Sequence, residues 1–475
     1  MLNSKNIVLL IIVKRHEDRA IVVNNIDLKD TPPKNIFMLG WEYPPHIAGG
    51  LGVACKGIVN SLSKLGHTIF LLVPKLYGDE EQIDGVNLLD INSGWELLNQ
   101  EDQNELIQAH SFNAQQTSDT LNFSPYSTFI GGNDQTRLYS ETFERTSGKD
   151  KIEIKKNSAT AALPIHISGG YGPVIFQDIH KYADFAAKVA SVLQPDIIHA
   201  HDWMTFPAAK KIQTKLTAET ILHFHATEYD RSGENQNDYI KLIEKDACEF
   251  SDKIITVSDY TKSLLQERYE ADPAKIFVAH NGVSENSESE HVEDPEMIID
   301  DAIVLFLGRI TYQKGPDYFI QAAAKIIREV PNVRFVMAGT GDLHHRMIEL
   351  SADLGIGKHF HYTGYLNKES AHRLYEISDL YIMPSVSEPF GLTALEAMSH
   401  NLPVILSNQS GVSEVVNQCL KVNFWDTDEL AAKTIALLKS RTLRDHMGHE
   451  AKKDASKLTW HKNAKRIEEV YRSKV

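Results

Sequence analysis

Residues 384–399, PSVSEPFGLTALEAMS, decide the fold, because they join a buried strand to a helix through a short polar turn. The apolar run LYIMP at 380–384 predicts the strand, and a helix is predicted to begin at about Thr393. Strand, turn and helix in direct succession form the repeating unit of α/β folds with parallel sheets.

The same stretch has the residues of an anion site. The first-turn N–H groups of a helix have no partner inside the helix, and the helix dipole is positive there. Glu388 lies just before those donors, and Glu396 lies one turn into the helix. Backbone donors for phosphate and two carboxylates for hydroxyls favour a nucleotide-sugar as the ligand. An alternative interpretation is purely structural, because Thr393 and Glu396 also have the spacing of a capping box.

Length and charge narrow the class of protein. The 475 residues are too many for one core and fit two domains of ordinary size. A hydrophobic content of 42% and a charged content of 24% are typical of a soluble globular protein. The net charge of −15 argues against a nucleic-acid binder, which needs a basic face.

The cysteines and the N-terminal segment favour a reducing compartment and no membrane span. The three cysteines are far apart and form no C-x-x-C pair, so neither a disulfide framework nor a zinc site is expected. The apolar run IVLLIIV at 7–13 is too short to cross a bilayer, and charged residues follow it. We expect a cytoplasmic protein in which residues 1–34 are an N-terminal extension.

The N-terminal half of the chain alternates strands and helices. A strand at 35–41 runs into a turn that contains Gly49 and Gly50, and a helix is predicted through Leu65. Glycines let a ligand approach the backbone closely, but the turn has no G-x-G-x-x-G, which disfavours a dinucleotide site. Residues 76–170 are polar and are interpreted as insertions and short elements. Further strands are predicted at 68–73, 195–203, 220–225, 253–258 and 275–279.

Two successive strands in this half end in histidine. One runs into HAHDW at 199–203 and the other is TILHFH at 220–225. Ligands of open α/β sheets bind beyond the carboxyl ends of the strands, so His201 and Asp202 are expected at the edge of a cleft. One such histidine is more often structural, but the repetition favours a site.

The second half restarts the alternation after an acidic stretch at 284–294. Two such blocks predict an α/β protein with two doubly wound domains that face a central cleft. We expect an N-terminal domain at 35–283, a C-terminal domain at 284–458, and a last helix at 459–475 that packs back on the N-terminal domain. Strands of the second block are predicted at 302–307, 333–338, 360–364, 380–384 and 402–406.

Two cations follow the first strand of the second block. Arg309 and Lys314 lie five residues apart on a loop that also contains Gly308 and Gly315. Cations that converge on one point stabilise a leaving diphosphate as charge develops on it. The alternative is two unrelated surface cations, but both follow the carboxyl end of a strand, as Glu388 does.

Several motifs together resemble those of glycosyltransferase families 4 and 5, in particular glycogen and starch synthases. They are FLGRITYQKG, MAGTGD, PSVSEPFGLTALEAM, HAHDW and the GGLG turn. The resemblance covers about residues 35–471 and is strongest in the second half. It implies the GT-B architecture of two Rossmann-like domains. It also implies retaining transfer of glucose from ADP-glucose or UDP-glucose to the non-reducing end of an α-1,4-glucan, with no metal or cofactor beyond the nucleotide-sugar.

The resemblance assigns roles to particular residues. It implies that His201 touches the hydroxyl end of the sugar, that Arg309 and Lys314 hold the donor diphosphate, and that Glu388 lies beside the donor sugar. Glu396 would contact the ribose. The other implied substrate contacts are Gly49, Gly50, Gly339, Thr340, Gly341, Phe390, Gly391, Leu392 and Thr393.

Two departures from the family pattern leave the substrates open. Ile47 stands where bacterial and plant glycogen synthases usually have lysine, so the donor base is not decided. The loop HATEYDRSG at 225–233 also differs from the usual bacterial form. The alternatives are a family 4 transferase with another hexose donor or acceptor, a sugar-nucleotide epimerase, and a non-catalytic protein that binds a nucleotide-sugar or glucan. The oligomeric state is left open.

Overall fold

A computed structural model describes residues 33–46, 49–113, 165–283 and 301–474, within a compact unit that runs from Lys34 to Val475. Four predictions lie wholly or partly outside the described residues. They concern the N-terminal extension before residue 33, the position of Ile47, the part of the predicted insertion at 114–164, and the acidic stretch at 284–294.

The first sheet has seven parallel strands in the order β3-β2-β1-β4-β5-β6-β7. The first strand of this sheet, β1, lies in its middle, and later strands are added on both sides of it, as in other doubly wound folds. The strands are β1 (Asn35–Leu39), β2 (Thr68–Leu72), β3 (Val86–Leu89), β4 (Ile197–His201), β5 (Glu219–Phe224), β6 (Lys253–Thr256) and β7 (Ile276–Val278).

The second sheet has six parallel strands in the order β10-β9-β8-β11-β12-β13. It too begins in the middle, at β8. The strands are β8 (Ala302–Leu307), β9 (Val333–Ala338), β10 (Phe360–Gly364), β11 (Leu380–Met383), β12 (Val404–Ser407) and β13 (Leu420–Val422).

Helices connect these parallel strands. In the N-terminal half they are α1 (Gly50–Ser63), α2 (Ile91–Glu96), α3 (Gln100–Asn113), α4 (Ile175–Leu193), α5 (Phe206–Gln213), α6 (Glu228–Ser232), α7 (Asp238–Phe250) and α8 (Asp259–Tyr269). In the C-terminal half they are α9 (Pro316–Glu329), α10 (His344–Asp353), α11 (Lys368–Ile377), α12 (Leu392–Ser399), α13 (Val412–Val415), α14 (Thr427–Leu438), α15 (Arg441–Ala455) and α16 (Trp460–Arg472). Short 3-10 turns occur at Pro273–Lys275, Tyr312–Lys314 and Gly357–His359.

Each sheet is covered on both faces, because successive residues of its strands belong to different apolar clusters. In β1, Phe37 packs with α4 and α5, whereas Ile36 packs with α1 and α16. In β8, Leu305 belongs to the apolar cluster on one face of the sheet and Val304 to the cluster on the other face. Burial on both faces explains why the strands read as continuous apolar runs.

The last helix packs against the N-terminal half of the chain. Trp460, Ile467 and Tyr471 of α16 are buried in the same apolar cluster as Ile36 and Met38 of β1. The α/β class with two parallel sheets is therefore confirmed. The domain limits at 283 and 458 stay predictions.

Candidate active site

Lys314 and Glu388 are in direct contact. Lys314 ends the 3-10 turn that follows β8, and its Nζ donates to Oε2 of Glu388 in the turn after β11. The hydroxyl of Ser385 also donates to that oxygen at 3.3 Å. Glu388 is only 5% exposed, so its carboxylate needs these partners to offset the cost of desolvation.

Arg309 lies on the same loop as Lys314 and is exposed. Its Nη2 donates to Oε1 of Gln313 at 3.1 Å, and the backbone carbonyl of Gln313 accepts from the N–H of Val386 at 2.9 Å. The loop that carries both cations is thus tied to the loop that carries Glu388, and the carboxyl ends of β8 and β11 form one polar surface.

The MAGTGD motif packs beside Arg309. Gly339 has a φ of 127°, and a Cβ there would lie 2.0 Å from the carbonyl oxygen of Gly308. A Cβ at Gly341 would lie 2.2 Å from the carbonyl oxygen of Ile310, whose N–H donates to Thr340 at 2.8 Å. Close backbone packing accounts for glycine at both positions. A contact of this motif with nucleotide stays a prediction.

Helix α12 begins without a side-chain cap, behind Gly391 at a φ of 109°. The capping-box interpretation of Thr393 and Glu396 is therefore wrong. Thr393 Oγ1 accepts from the Tyr381 hydroxyl at 2.8 Å, and Glu396 Oε2 accepts from the Tyr375 hydroxyl at 3.0 Å. Burial raises the pKa of Glu396. A helix that starts on glycine leaves its first-turn N–H groups without the side-chain acceptor that a Ser or Asp cap provides.

The glycine-rich turn of the N-terminal half approaches the start of α12. A Cβ at Gly50 would lie 3.5 Å from Cδ1 of Leu392, which also packs on the apolar cluster beside β1. Glu42 fixes the start of α1, because its Oε1 accepts from the N–H of Gly52 at 3.0 Å and its Oε2 from the hydroxyl of Tyr171 at 3.0 Å. The first residues of α1 and α12 therefore lie next to each other, although they are far apart in sequence.

His201 belongs to a group of four histidines at the carboxyl ends of β4 and β5, of which His199, His201 and His223 are buried and His225 is partly exposed. Its Nδ1 is 2.8 Å from Nε2 of His225, and its ring stacks on His199 with 4.4 Å between centroids. His199 Nε2 is in turn 3.3 Å from Nδ1 of His223. Burial lowers the pKa of all four rings, to about 3 for His199 and His225, so all four are neutral near pH 7.

Asp202 has a structural role beside His201. It has a φ of 59°, and its Oδ1 accepts from the N–H of His225 at 2.6 Å and of Ala226 at 3.3 Å. Burial raises the pKa of Asp202 to about 6. This carboxylate holds the start of the loop after β5, which leads into α6.

Helix α6 connects the histidine group to the Glu388 loop. Oδ1 of Asp230 accepts from the hydroxyl of Ser387, the residue before Glu388. The Tyr260 hydroxyl bonds the same Ser387 oxygen at 2.9 Å, and Ser258 Oγ donates to the carbonyl of Pro389 at 2.6 Å. Sequence reasoning missed these contacts, and the unusual loop at 225–233 was the only sign of them.

The predicted residues thus form two connected groups. Arg309, Lys314, Glu388 and the glycines of MAGTGD meet at the carboxyl end of the second sheet, whereas His201 lies with the other histidines at the carboxyl end of the first. Among the described residues, no helix is long and apolar enough to cross a membrane.

Two family models match the chain. The model "Glycosyltransferase Family 4" matches residues 147–287, and "Glycosyl transferases group 1" matches residues 289–454. An uncharacterized glycosyltransferase of Methanocaldococcus jannaschii is 28% identical over 92% of this chain and 97% of its own length. The glycogen synthase of Mycobacterium tuberculosis is 28% identical over 80% of both chains. A D-inositol 3-phosphate glycosyltransferase of a Nocardioides species is 24% identical over 61% of this chain and 70% of its own.

A solved structure shows the same fold. Sucrose-phosphate synthase from Thermosynechococcus elongatus matches with a TM-score of 0.65 at 16% identity, over 92% of this chain and 98% of its own. Two parallel sheets, the cation-bearing loop and these matches define a glycosyltransferase of the GT-B type. The two consecutive family models and these relatives support a family 4/5-like glycosyltransferase, as its motifs indicated.

Proposed function

We propose that this glycosyltransferase moves glucose from ADP-glucose or UDP-glucose to the non-reducing end of an α-1,4-glucan, with retention of configuration. The observation that carries the proposal is the Lys314–Glu388 pair beside Arg309 and the uncapped start of α12. Similarity to a glycogen synthase over 80% of both chains supports the glucan acceptor.

In this proposal the diphosphate of the donor binds at Arg309, Lys314 and the first-turn N–H groups of α12. Each of these offers positive charge or hydrogen-bond donors where negative charge develops as the sugar bond breaks, and such preorganised groups usually contribute most to the rate. Lys314 would serve both Glu388 and the diphosphate. The backbone contacts proposed for Phe390, Gly391, Leu392 and Thr393 come from the same helix start.

Glu388 is proposed to orient the donor sugar and to stabilise positive charge at its anomeric carbon. It is held by Lys314 and Ser385, so it is an acceptor with a fixed position. His201 is proposed to hydrogen-bond the far hydroxyls of the same sugar. Its ring is neutral, and its Nε2 is buried without a hydrogen-bond partner among the described residues. The acceptor hydroxyl would attack on the face from which the diphosphate leaves.

The remaining proposed contacts concern the nucleoside. Gly49 and Gly50 would close over the phosphates from the N-terminal half, Gly339, Thr340 and Gly341 would hold the nucleotide, and Glu396 would accept from the ribose hydroxyls. The proposed division of labour follows the two halves of the chain, with the acceptor on 35–283 and the donor on 284–458.

A second candidate function is transfer of a hexose to a small phosphorylated acceptor. The similarity to D-inositol 3-phosphate glycosyltransferases favours it, although it extends over only 61% of this chain. The two candidates share the donor site and differ in the acceptor, so one assay separates them.

The test is release of nucleoside diphosphate by the purified full-length chain. ADP-glucose, UDP-glucose and GDP-mannose are each offered alone, with glycogen, and with inositol 3-phosphate. We expect glycogen-dependent release from a glucose donor, with the new linkage shown to be α by NMR. The same assay is made with Lys314→Ala. Its control is Lys439→Ala, which removes an exposed ion pair with Glu329.

Release that depends on inositol phosphate would replace the first candidate by the second. Binding of a nucleotide-sugar without release for any acceptor would indicate a binding protein. A β linkage in the product would overturn retention.

A further inference from the structure

A cysteine lies beside the four histidines, and together these residues have the composition of a metal site. Cys55 lies on α1 and is fully buried, and its thiol faces the carboxyl ends of β4 and β5. The Cys55 sulfur, one ring nitrogen of His201 and one ring nitrogen of His225 all lie within 4.8 Å of one another. Thiolate and imidazole are the ligands that zinc and other borderline or soft cations prefer.

An unpartnered nitrogen gives independent support for a ligand at these residues. Nε2 of His201 is buried and has no hydrogen-bond partner among the described residues. A buried polar atom without a partner is costly, so native proteins normally satisfy it with protein, water or an ion.

Cys55, His201 and His225 form a better cation site than the alternative set of His199, His201 and His223, which also lies within 4.8 Å. The three residues of the alternative set are fully buried, and Nδ1 of His199 already bonds the Tyr471 hydroxyl at 2.7 Å. His225, by contrast, keeps part of its surface exposed and offers an entry path.

The surroundings of Cys55 favour a positive charge. The carboxylate of Glu42 bonds Gly52 on the helix that carries Cys55, and the carboxylate of Asp202, the residue after His201, bonds the N–H of His225. Both are largely buried, at 7% and 5% exposure, so water screens their charge weakly. A cation between them and the three ligands would be stabilised by both.

We propose that Cys55, His201 and His225 bind one zinc-like divalent cation, with its fourth position open, and that this binding inhibits the enzyme by occupying His201. On binding, the Cys55 thiol loses its proton to solvent as the metal–sulfur bond forms. Each histidine binds the metal through a ring nitrogen that carries no proton, and any proton on that nitrogen moves to the other nitrogen of the same ring. Binding itself does not depend on the proposed function, whereas its inhibitory effect rests on the role proposed for His201.

The binding test uses Co²⁺, whose absorption reports its ligands. The full-length chain is treated with chelator, titrated with Co²⁺ and then with Zn²⁺. We expect one cobalt per chain, a near-ultraviolet band from thiolate-to-cobalt charge transfer, and displacement by zinc. Cys55→Ser should abolish that band. Both Cys55→Ser and His225→Ala should weaken cobalt binding by at least about 100-fold, because loss of even an outer partner of a metal site costs up to about that much.

Cys248→Ser is the matched control, because Cys248 is a second buried cysteine of the N-terminal half that lies outside the group. This variant should keep the band. A titration without a thiolate band, a band that survives Cys55→Ser, or a band that Cys248→Ser removes would each overturn the site. Unfolding curves of the metal-free variants test whether they are folded.

The inhibition test is separate. Zinc should inhibit nucleoside diphosphate release by the wild-type chain and by Cys248→Ser, and it should inhibit Cys55→Ser at least about 100-fold more weakly, in proportion to the weaker binding. Stoichiometric cobalt or zinc binding without inhibition would keep the metal site and overturn its link to His201. A chain with no transferase activity would overturn the proposed function while the cobalt titration still decides the metal site.

Discussion

At the scale of single residues, the pair of Lys314 and Glu388 combines stability and chemistry. The side chains of Lys314 and Glu388 are 18% and 6% exposed. Without a bound nucleotide-sugar, each charge therefore needs the other to offset its desolvation. Breaking such a pair by removing one partner typically costs about 3–5 kcal/mol, because the other charge stays buried. Removing both partners together leaves no buried charge and costs much less.

This difference separates a catalytic from a structural role. Lys314→Ala should lower kcat about 100-fold to 1000-fold, as for other groups that stabilise transition-state charge, and should lower the free energy of unfolding by about 3 kcal/mol. Adding Glu388→Gln to Lys314→Ala should restore most of the stability and none of the activity. Urea unfolding and nucleoside diphosphate release measure the two effects. A double variant that regains activity along with stability would show that the pair is only structural.

The buried histidines make the protein acid-sensitive at a defined position. Burial holds the pKa of His223 well below its ordinary value of 6.5. The unfolded chain therefore binds one more proton at this residue than the folded chain below about pH 6.5, and folding stability falls as the pH falls through that range. Each such group lowers the free energy of unfolding by up to about 1.4 kcal/mol for each pH unit in that range.

His223→Gln removes that proton linkage. The variant should lose stability at pH 7.5, because its partner His199 loses a hydrogen bond, but its stability relative to wild type should improve by about 1.4 kcal/mol per pH unit below pH 6.5. Urea unfolding at pH 7.5, 6.0 and 5.0 measures this slope. His461→Gln, at an exposed position on α16, is the control and should leave the slope unchanged. A difference between His223→Gln and wild type that is independent of pH would refute the linkage.

At the scale of elements, α6 connects the two halves of the chain at the residue next to Glu388. Because Asp230 and Tyr260 of the N-terminal half both bond Ser387, the N-terminal half helps to place the Glu388 loop, and we expect closure of the halves to depend on these bonds. The 3-10 turn that carries Lys314 is also close to α6, since a Cβ at Gly233 would lie 3.0 Å from the Tyr312 ring.

Ser387→Ala should therefore weaken closure and turnover without unfolding either half. The variant loses both hydrogen bonds of this hydroxyl, and a net loss of about 1.4 kcal/mol corresponds to an about tenfold lower kcat. The radius of gyration with donor bound, measured by small-angle X-ray scattering, should exceed that of wild type. Ser387→Thr keeps the hydroxyl and should restore both. Ser399→Ala, which removes a bond to the Leu395 carbonyl within α12, is the control. Normal kcat in Ser387→Ala would rule out the coupling.

The elements that sequence could predict are those with continuous apolar runs. The bounds of β8 and β9 agree with the predicted strands, because both are largely buried apolar runs that a glycine follows. The bounds of β10, a partly buried edge strand that ends at Gly364, also agree. The edge strands β3 and β13 were missed. Their sequences, VNLL and LKV, are short and partly polar, and they pair on one side only.

The site shows the same limit. Arg309, Lys314, Glu388 and His201 lie at or just after strand ends, as the predicted strands imply, whereas their roles in a site stay predictions. Their pairing does not follow, since Lys314 bonds a residue 74 positions away and Asp230 one 157 positions away. Contacts between distant segments depend on how the two sheets meet, which no local pattern records.

At the scale of the whole molecule, the described residues where the chain leaves the first half and returns to it lie next to each other. Val283 pairs with Thr459 in a parallel bridge, and its N–H donates to the Leu458 carbonyl at 2.9 Å. Asn463 of α16 donates to the carbonyls of Ala279 at 3.2 Å and His280 at 2.9 Å. Residues 279–283 and residues 458–463 therefore lie side by side. We expect a movement of one half relative to the other to bend both segments together.

Gly282 is the residue on which this arrangement depends. A Cβ there would lie 2.3 Å from the carbonyl carbon of Thr459 and 2.4 Å from the nitrogen of Trp460, and backbone atoms cannot turn aside as a flexible side chain can. Gly282→Ala should lower the free energy of unfolding by about 1–3 kcal/mol, as overpacking usually does. It should also shift the equilibrium between closed and open forms, because the two segments are forced apart. Urea unfolding and small-angle scattering measure these effects. Gly172→Ala is the control, since a Cβ there meets nothing within 4 Å. Equal stability of Gly282→Ala and Gly172→Ala would show that the two segments are not tightly packed in solution.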